Sequence, residues 1–261
     1  MHLILFKPLK MPYPGEITMK STQVFAAIAT TTTLSVMAMT SAAQAFTIGG
    51  HLNGAEFDAL GLDIPWAAES RIGRVGDHEL NIHDHTNSAQ NRVQANYDNW
   101  VSGEAVDFSL VFDSALNTLT YTVAGIELSK TEIFEDNFSD LYIRTAARKE
   151  GTSMVVNNLF LSDATMSSSI GDFSSASCSG GVGCGYNDAD YLHIGNIVGD
   201  FTLTGQSTMT WGATKPKNSN LAYQIKLVEG NPSVPVPEPA TLSVFSLGLV
   251  GLLASRKRRQ S

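Results

Sequence analysis

The chain is 261 residues long, 43% hydrophobic and 16% charged, with 25 acids against 17 bases and a formal net charge of −8. No basic stripe of the kind that tracks a phosphate backbone runs through its centre, so no nucleic-acid partner is expected. Three of the bases (Lys7, Lys10, Lys20) precede residue 46 and four lie after residue 255, whereas only Glu16 and Glu238 among the acids lie outside 46–230. The central region therefore keeps 10 bases and 23 acids and carries a net charge of about −13, which favours solubility and attracts cations.

Residues 1–18 contain Pro8, Pro12 and Pro14 and suit no leader; they read as a mis-called start or as an extended n-region. Residues 19–45 read as a secretory signal peptide: Met19 and Lys20, an apolar, Thr-rich run from Val24 to Met39, then Ala43-x-Ala45 before Phe46 as the cleavage site. The secretion machinery, signal peptidase and an oxidising destination follow as expectations.

From Phe46 to Gly230 the periodicity is two. In Ala105 to Asp113, Val106, Phe108, Leu110 and Phe112 alternate with polar or smaller residues, which predicts a half-buried antiparallel strand. A turn over Asp113–Asn117 leads to Leu119, Tyr121 and Val123, giving a hairpin, with Ile126–Ser129 as a third strand. Further strands are expected at 46–52, within 67–82, and at 141–145, 153–161, 191–198, 201–211 and 221–228. In the last of these Leu221, Tyr223, Ile225 and Leu227 face one way and Gln224 and Lys226 the other. Short helices are expected only at 54–62 and 131–140, the second pairing Phe134 with Phe138 at i, i+4. Ser162 to Ser179 reads as a Ser-rich surface loop. The sum is an all-β protein, an antiparallel β-sandwich of jelly-roll or lectin-like type, with about 190 residues left for one domain.

The tail has three segments in order. Residues 231–239 are a linker whose Pro235, Pro237 and Pro239 cannot donate ladder hydrogen bonds. Residues 240–261 hold an uncharged apolar run, Ala240–Ala254, followed by Arg256, Lys257, Arg258 and Arg259. As a helix that run spans about 22 Å against a hydrocarbon core of about 30 Å, so it is a short single span, stopped on the cytoplasmic side by the basic tetrad.

Val236-Pro237-Glu238-Pro239-Ala240-Thr241, the apolar run and Arg256–Arg259 together closely resemble the PEP-CTERM sorting signal of Gram-negative bacteria. That resemblance implies recognition by exosortase, a membrane-embedded cysteine protease, with Glu238 as a recognition element and cleavage near Pro237-Glu238-Pro239. It also implies a transient inner-membrane anchor with a cytoplasmic C-terminus, then delivery to the cell surface or extracellular matrix. In the body, Trp66-Ala67-Ala68-Glu69-Ser70-Arg71-Ile72-Gly73 with Gly103-Glu104-Ala105-Val106-Asp107-Phe108 is similar to the choice-of-anchor surface domains, the W type among them. These share an all-β body and differ in their anchors.

Chemistry-bearing constellations are few. Cys178 and Cys184 enclose Ser-Gly-Gly-Val-Gly, and in an exported domain this favours a local disulfide closed over flexible glycines. His83 and His85 share a face if they lie on a strand, and could offer two imidazoles to one cation; the plainer reading is a solvated strand edge or turn. Asp188 and Asp190 could supply oxygens to Ca²⁺, but without an EF-hand pattern, and a solvated loop is the plainer reading there too. Trp66, Trp100, Trp211, Tyr97, Tyr186 and Tyr191 could stack on sugars if exposed, with core packing as the ordinary role. No catalytic motif is found: Gly-x-Ser-x-Gly and Glu-x-Asp-x-x-Glu are both absent. The expected function is that of a non-catalytic, exosortase-sorted surface or matrix protein associated with exopolysaccharide, without a required cofactor. The alternatives are a Ca²⁺-dependent lectin-like module and a carboxylate-dependent glycan hydrolase or lyase.

Overall fold

The computed structural model describes residues 45–73, 79–84, 91–131 and 138–230. Residues 1–44, Ala43 among them, His85, Pro237, Glu238, Pro239, the apolar run of the tail and Arg256 to Arg259 lie outside those residues. Among the described residues the body has fourteen strands and one short helix. In chain order they are β1 (Thr47–Asn53), α1 (Gly54–Ala59), β2 (Trp66–Arg71), β3 (Leu80–Asp84), β4 (Arg92–Ala95), β5 (Ala105–Asp113), β6 (Thr118–Val123) and β7 (Ile126–Thr131). Then come β8 (Phe138–Ala147), β9 (Thr152–Asp163), β10 (Ser167–Ser169), β11 (Ser174–Cys178), β12 (Asp190–Gly195), β13 (Phe201–Trp211) and β14 (Leu221–Glu229).

The strands form two antiparallel sheets. The first runs β1-β12-β8-β14-β2-β3-β4; the second runs β10-β9-β13-β5-β6-β7, with β11 also paired to β9. Alternation decides which side chains meet between them. β5 sends Phe108, Leu110 and Phe112 inward, β6 sends Leu119, Tyr121 and Val123, and β14 sends Leu221, Tyr223, Ile225 and Leu227, all into one continuous buried cluster. Each such side chain, fully buried, contributes about 1.5–3 kcal/mol relative to exposure. Aromatic contacts tie the layers: Phe112 meets Phe138 edge-on at 4.8 Å, and Phe108 meets Tyr223 at 5.3 Å. A polar pin crosses the same core, where the Tyr121 hydroxyl donates to that of Tyr223 at 2.7 Å and lies 2.7 Å from the Ser70 hydroxyl. Buried hydroxyls satisfied in this way cost little, and they fix the relative position of the two sheets.

α1 follows β1 without a loop because Asn53 is built to start a helix. Its side chain accepts from the Glu56 amide at 3.0 Å, while Glu56 accepts from the Asn53 amide at 2.8 Å, a reciprocal capping box.

Two expectations need correction. The predicted helix at 131–140 is not formed at its ends: Thr131 closes β7, and Phe138 to Asp140 open β8. Burial of Phe138 against Phe112 outweighs a local i, i+4 pairing. The predicted surface loop at 162–179 instead contains β10 and β11. β9 leaves a row of backbone groups open on that side, and Ser174, Ala176 and Cys178 are small enough to face the core there. A helix–strand signal based on hydrophobic contrast is blind to such small residues.

Candidate functional site

The two faces of the first sheet are chemically unlike. One is the sandwich core. On the other, in-register pairing lays a polar row across five strands: Tyr191 on β12 opposite Arg144 on β8, then Gln224 on β14, Glu69 on β2 and Asn81 on β3. Next to it runs His193, Tyr142, Lys226, Ala67 and His83, again as Cα partners. Neighbouring rungs stand about 4.8 Å apart, so charged groups distant in sequence become contiguous.

α1 and the segment after it cover part of this face with Phe57 and Ile64, which pack on Tyr142, Ala146 and Tyr191. The rings of Phe57 and Tyr191 stack at 4.0 Å with 10° between planes. Beside this stack lies a cavity of about 350 Å³ whose wall, among the described residues, holds Arg71, Arg144, Arg148 and Lys226 but only Asp58 and Glu69 as acids. In a body of net −13, the cavity is locally +2.

Its charges are sunk into the fold. Glu69 is 8%, Arg144 6% and Lys226 4% exposed. Arg71 approaches Glu69 at 3.9 Å. Arg144 lies 5.8 Å from the Tyr191 ring and Lys226 5.7 Å from that of Phe57. Among the described residues no carboxylate lies within 4 Å of the Arg144 or Arg148 guanidinium. Burial lowers Lys226 to about 8, helped by the charge of Arg144 and opposed by Glu69 and Asp58. Arg148 is lowered by burial and then by Arg144. The cations thus press on one another.

A covalent ring lies in the chain just before Tyr186, which lines the cavity. A disulfide joins Cys178, at the end of β11, to Cys184. Within it Gly183 has φ +77°, and a Cβ there would fall 2.1 Å from the Ser177 carbonyl, so only glycine fits. The amides of Gly180 and Gly181 donate to the two oxygens of Glu150 at 2.7 and 3.0 Å, which holds that carboxyl below the usual range. Glu150 and the two sulfurs cluster closely, but the sulfurs are spent on each other, so this is a capped ring and offers no thiolate ligands. Directly after the ring, Tyr186 is 56% exposed and carries Arg148 at 5.2 Å from its ring. The Asn187 carbonyl accepts from the Gly54 amide at 3.0 Å, which docks this loop on the start of α1.

The structure scatters the other residues singled out by sequence. His83 is not on a solvated edge: it is 8% exposed on β3, hydrogen-bonded to Asn81, and lowered by burial with Glu69, Lys226 and Arg71 acting on it. Asp188 accepts from the Gly185 amide at 2.7 Å and shapes the Tyr186 loop. Asp190 binds His51 at 2.8 Å and accepts from the Ser175 amide at 2.9 Å. Asp188 and Asp190 do border one depression, of about 730 Å³, each with a carboxyl oxygen already committed locally. A second depression, about 610 Å³, contains Asp113, Asp163 and Asp200. There Asp163 takes the amides of Thr165, Met166 and Val198 and the Thr165 hydroxyl at 2.7–3.1 Å, and Asp200 takes the Ser114 amide at 2.8 Å. Trp66 and Trp100 are buried, as is Tyr191. Sequence reasoning missed Arg144, Arg148 and Glu69; the one available signal was the outward set of Gln224 and Lys226 on β14.

Residues 235–259 match the family model of the PEP-CTERM protein-sorting motif, which makes this chain a carrier of that signal. The motif implies processing by exosortase, export, and sorting to the cell surface. No curated protein matches the chain. Among the described residues no helix is long and apolar enough to cross a membrane.

Proposed function

We propose that the chain is a non-catalytic surface or matrix protein, delivered by exosortase and associated with exopolysaccharide through a lectin-like sandwich. The observation that carries this reading is the sorting motif at 235–259, placed behind an acidic all-β body. In the reading, the leader takes the chain to the secretion machinery and signal peptidase, and the tail helix holds it briefly in the inner membrane. Arg256–Arg259 stay inside until cleavage frees the body. Two features support a binding role over catalysis. The carboxylates of the two open depressions are engaged in shaping loops, as Asp163, Asp200, Asp188 and Asp190 are. The β-sandwich also presents an aromatic side chain, Tyr186, on its surface.

The test is Glu238→Ala in the native host, followed by fractionation. The variant is expected to remain in the inner membrane while the wild type reaches the surface or matrix. Equal delivery of both would refute a sorting role for Glu238.

A further inference from the structure

Buried charges normally have a counter-charge within reach, because an uncompensated ion loses its hydration for nothing. The cavity on the outer face of the first sheet departs from that rule. Arg144 is 6% exposed and its side chain meets Tyr191, over the ring and at the hydroxyl, with no carboxylate inside 4 Å among the described residues. Arg148, exposed at the rim, brings a second guanidinium with no carboxylate inside 4 Å among the described residues, and Lys226 lies buried in the same wall with Glu69 and Asp58 acting on it. Among the described residues, four bases line this one cavity against two acids, in a body whose acids outnumber its bases 23 to 10. A guanidinium pair suits a planar carboxylate, which it can hold bidentately.

The remaining wall selects what carries the carboxylate. Gln224 and Ser219 supply neutral donors and acceptors of the sort that read hydroxyl groups, and Glu69 adds an acceptor. Tyr186, 56% exposed beside Arg148, extends a flat ring beyond the cavity, where the apolar face of a pyranose can stack. The volume, about 350 Å³, falls in the range of small-ligand sites and admits part of a polymer, with its neighbours continuing over Tyr186. From these features we infer that the cavity binds an acidic polysaccharide, seating a ring carboxylate of uronate type on Arg144, Arg148 and Lys226 while a neighbouring sugar ring lies on Tyr186. This rests on the matrix-association reading above and names its ligand class and its site.

The experiment is calorimetric titration of the exported, purified chain with polygalacturonate, with dextran as the neutral glucan and sodium sulfate as a simple anion. Polygalacturonate is expected to bind, more weakly at high salt, and dextran is not. Arg144→Gln should lower affinity at least about tenfold, and Arg148→Gln or Tyr186→Ala about three- to tenfold each. Lys149→Gln, the same charge change outside the cavity, should leave it unchanged. Arg148 and Tyr186 are exposed, so their variants decide the matter if Arg144→Gln does not fold. Binding of dextran equal to that of polygalacturonate overturns the inference, and so does full competition by millimolar sulfate. Unchanged affinity in folded Arg148→Gln and Tyr186→Ala, or no binding of polygalacturonate, does so as well. Flat titrations with normal surface delivery overturn only this site; lost dependence on Glu238 overturns only the sorting reading.

Discussion

Arg148, one residue past β8, stands 5.2 Å from the ring of Tyr186, which follows the Cys178–Cys184 ring. The end of a first-sheet strand and the segment after a disulfide ring thereby share one surface. The disulfide acts at a distance in this arrangement: it closes the ring that precedes Tyr186, and Asn187 then fastens the following segment to Gly54. Replacing both cysteines by serine should cost about 2 kcal/mol in denaturant unfolding. It should also speed hydrogen exchange of the Gly54 amide. Unchanged exchange there would show that the loop holds its place without the bond.

Lys226 is the clearest conflict between stability and use. Its folded pKa, about 8, lies below the unfolded value of 10.5, so the folded state resists its charge. The penalty is complete below about pH 8 and is relieved as pH rises from there to 10.5. Lys226→Met is therefore expected to be more stable than wild type at pH 7, by on the order of 2–3 kcal/mol, with the gap closing toward pH 10. Chemical denaturation at three pH values measures this.

The same lysine gives ligand binding a pH dependence. The groups around it are Arg144 of β8, Glu69 and Arg71 of β2, Asp58 of α1 and His83 of β3. An anion favours the charged form, so affinity for polygalacturonate should fall as pH rises through about 8. In Lys226→Met that step should vanish. Titrations at pH 6.5 and 9 on both proteins check it.

Within the core, Tyr121→Phe removes the hydroxyl that touches both Tyr223 and Ser70 and takes one hydrogen-bond partner from each, while Tyr223 keeps Ser70 and Ser207. A loss of about 1–3 kcal/mol is expected from equilibrium unfolding, with little volume change to obscure the cause.

Acid stability rests on loop carboxylates. Asp163 is opposed by burial but held below the usual range by the Thr165 hydroxyl and the amides of Met166, Thr165 and Val198. Asp200 is lowered by Ser114. A depressed acid contributes stability above its unfolded pKa and loses it as pH falls through the folded one. The body should therefore lose stability below about pH 4, and Asp163→Asn should lessen that loss while costing about 1–3 kcal/mol at pH 7. Thermal melts from pH 3 to 7 follow both effects.

Much of the body was legible because its strands alternate strongly. Phe108, Leu110 and Phe112 against Asp107 and Ser109 mark β5, and Thr202 to Thr210 alternate as plainly in β13. Illegible were β10 and β11, whose serines give no contrast, and Phe138, whose helical spacing to Phe134 competed with burial. The candidate site was hidden for a different reason. Arg144, Lys226 and Glu69 come from three strands, and only the register of β8, β14 and β2 makes them neighbours. Sequence spacing holds no trace of that register. His83 was misjudged likewise, since its neighbours Glu69 and Arg71 come from β2 and Lys226 from β14.

The central claim is that this acidic β-sandwich is sorted and cut at its tail. Mass spectrometry of the C-terminal peptide, on protein recovered from the cell surface or matrix, tests it most directly. The account predicts a chain ending near Pro237-Glu238-Pro239, without Arg256 to Arg259. Recovery of the surface protein with its C-terminus intact to Ser261 would contradict it.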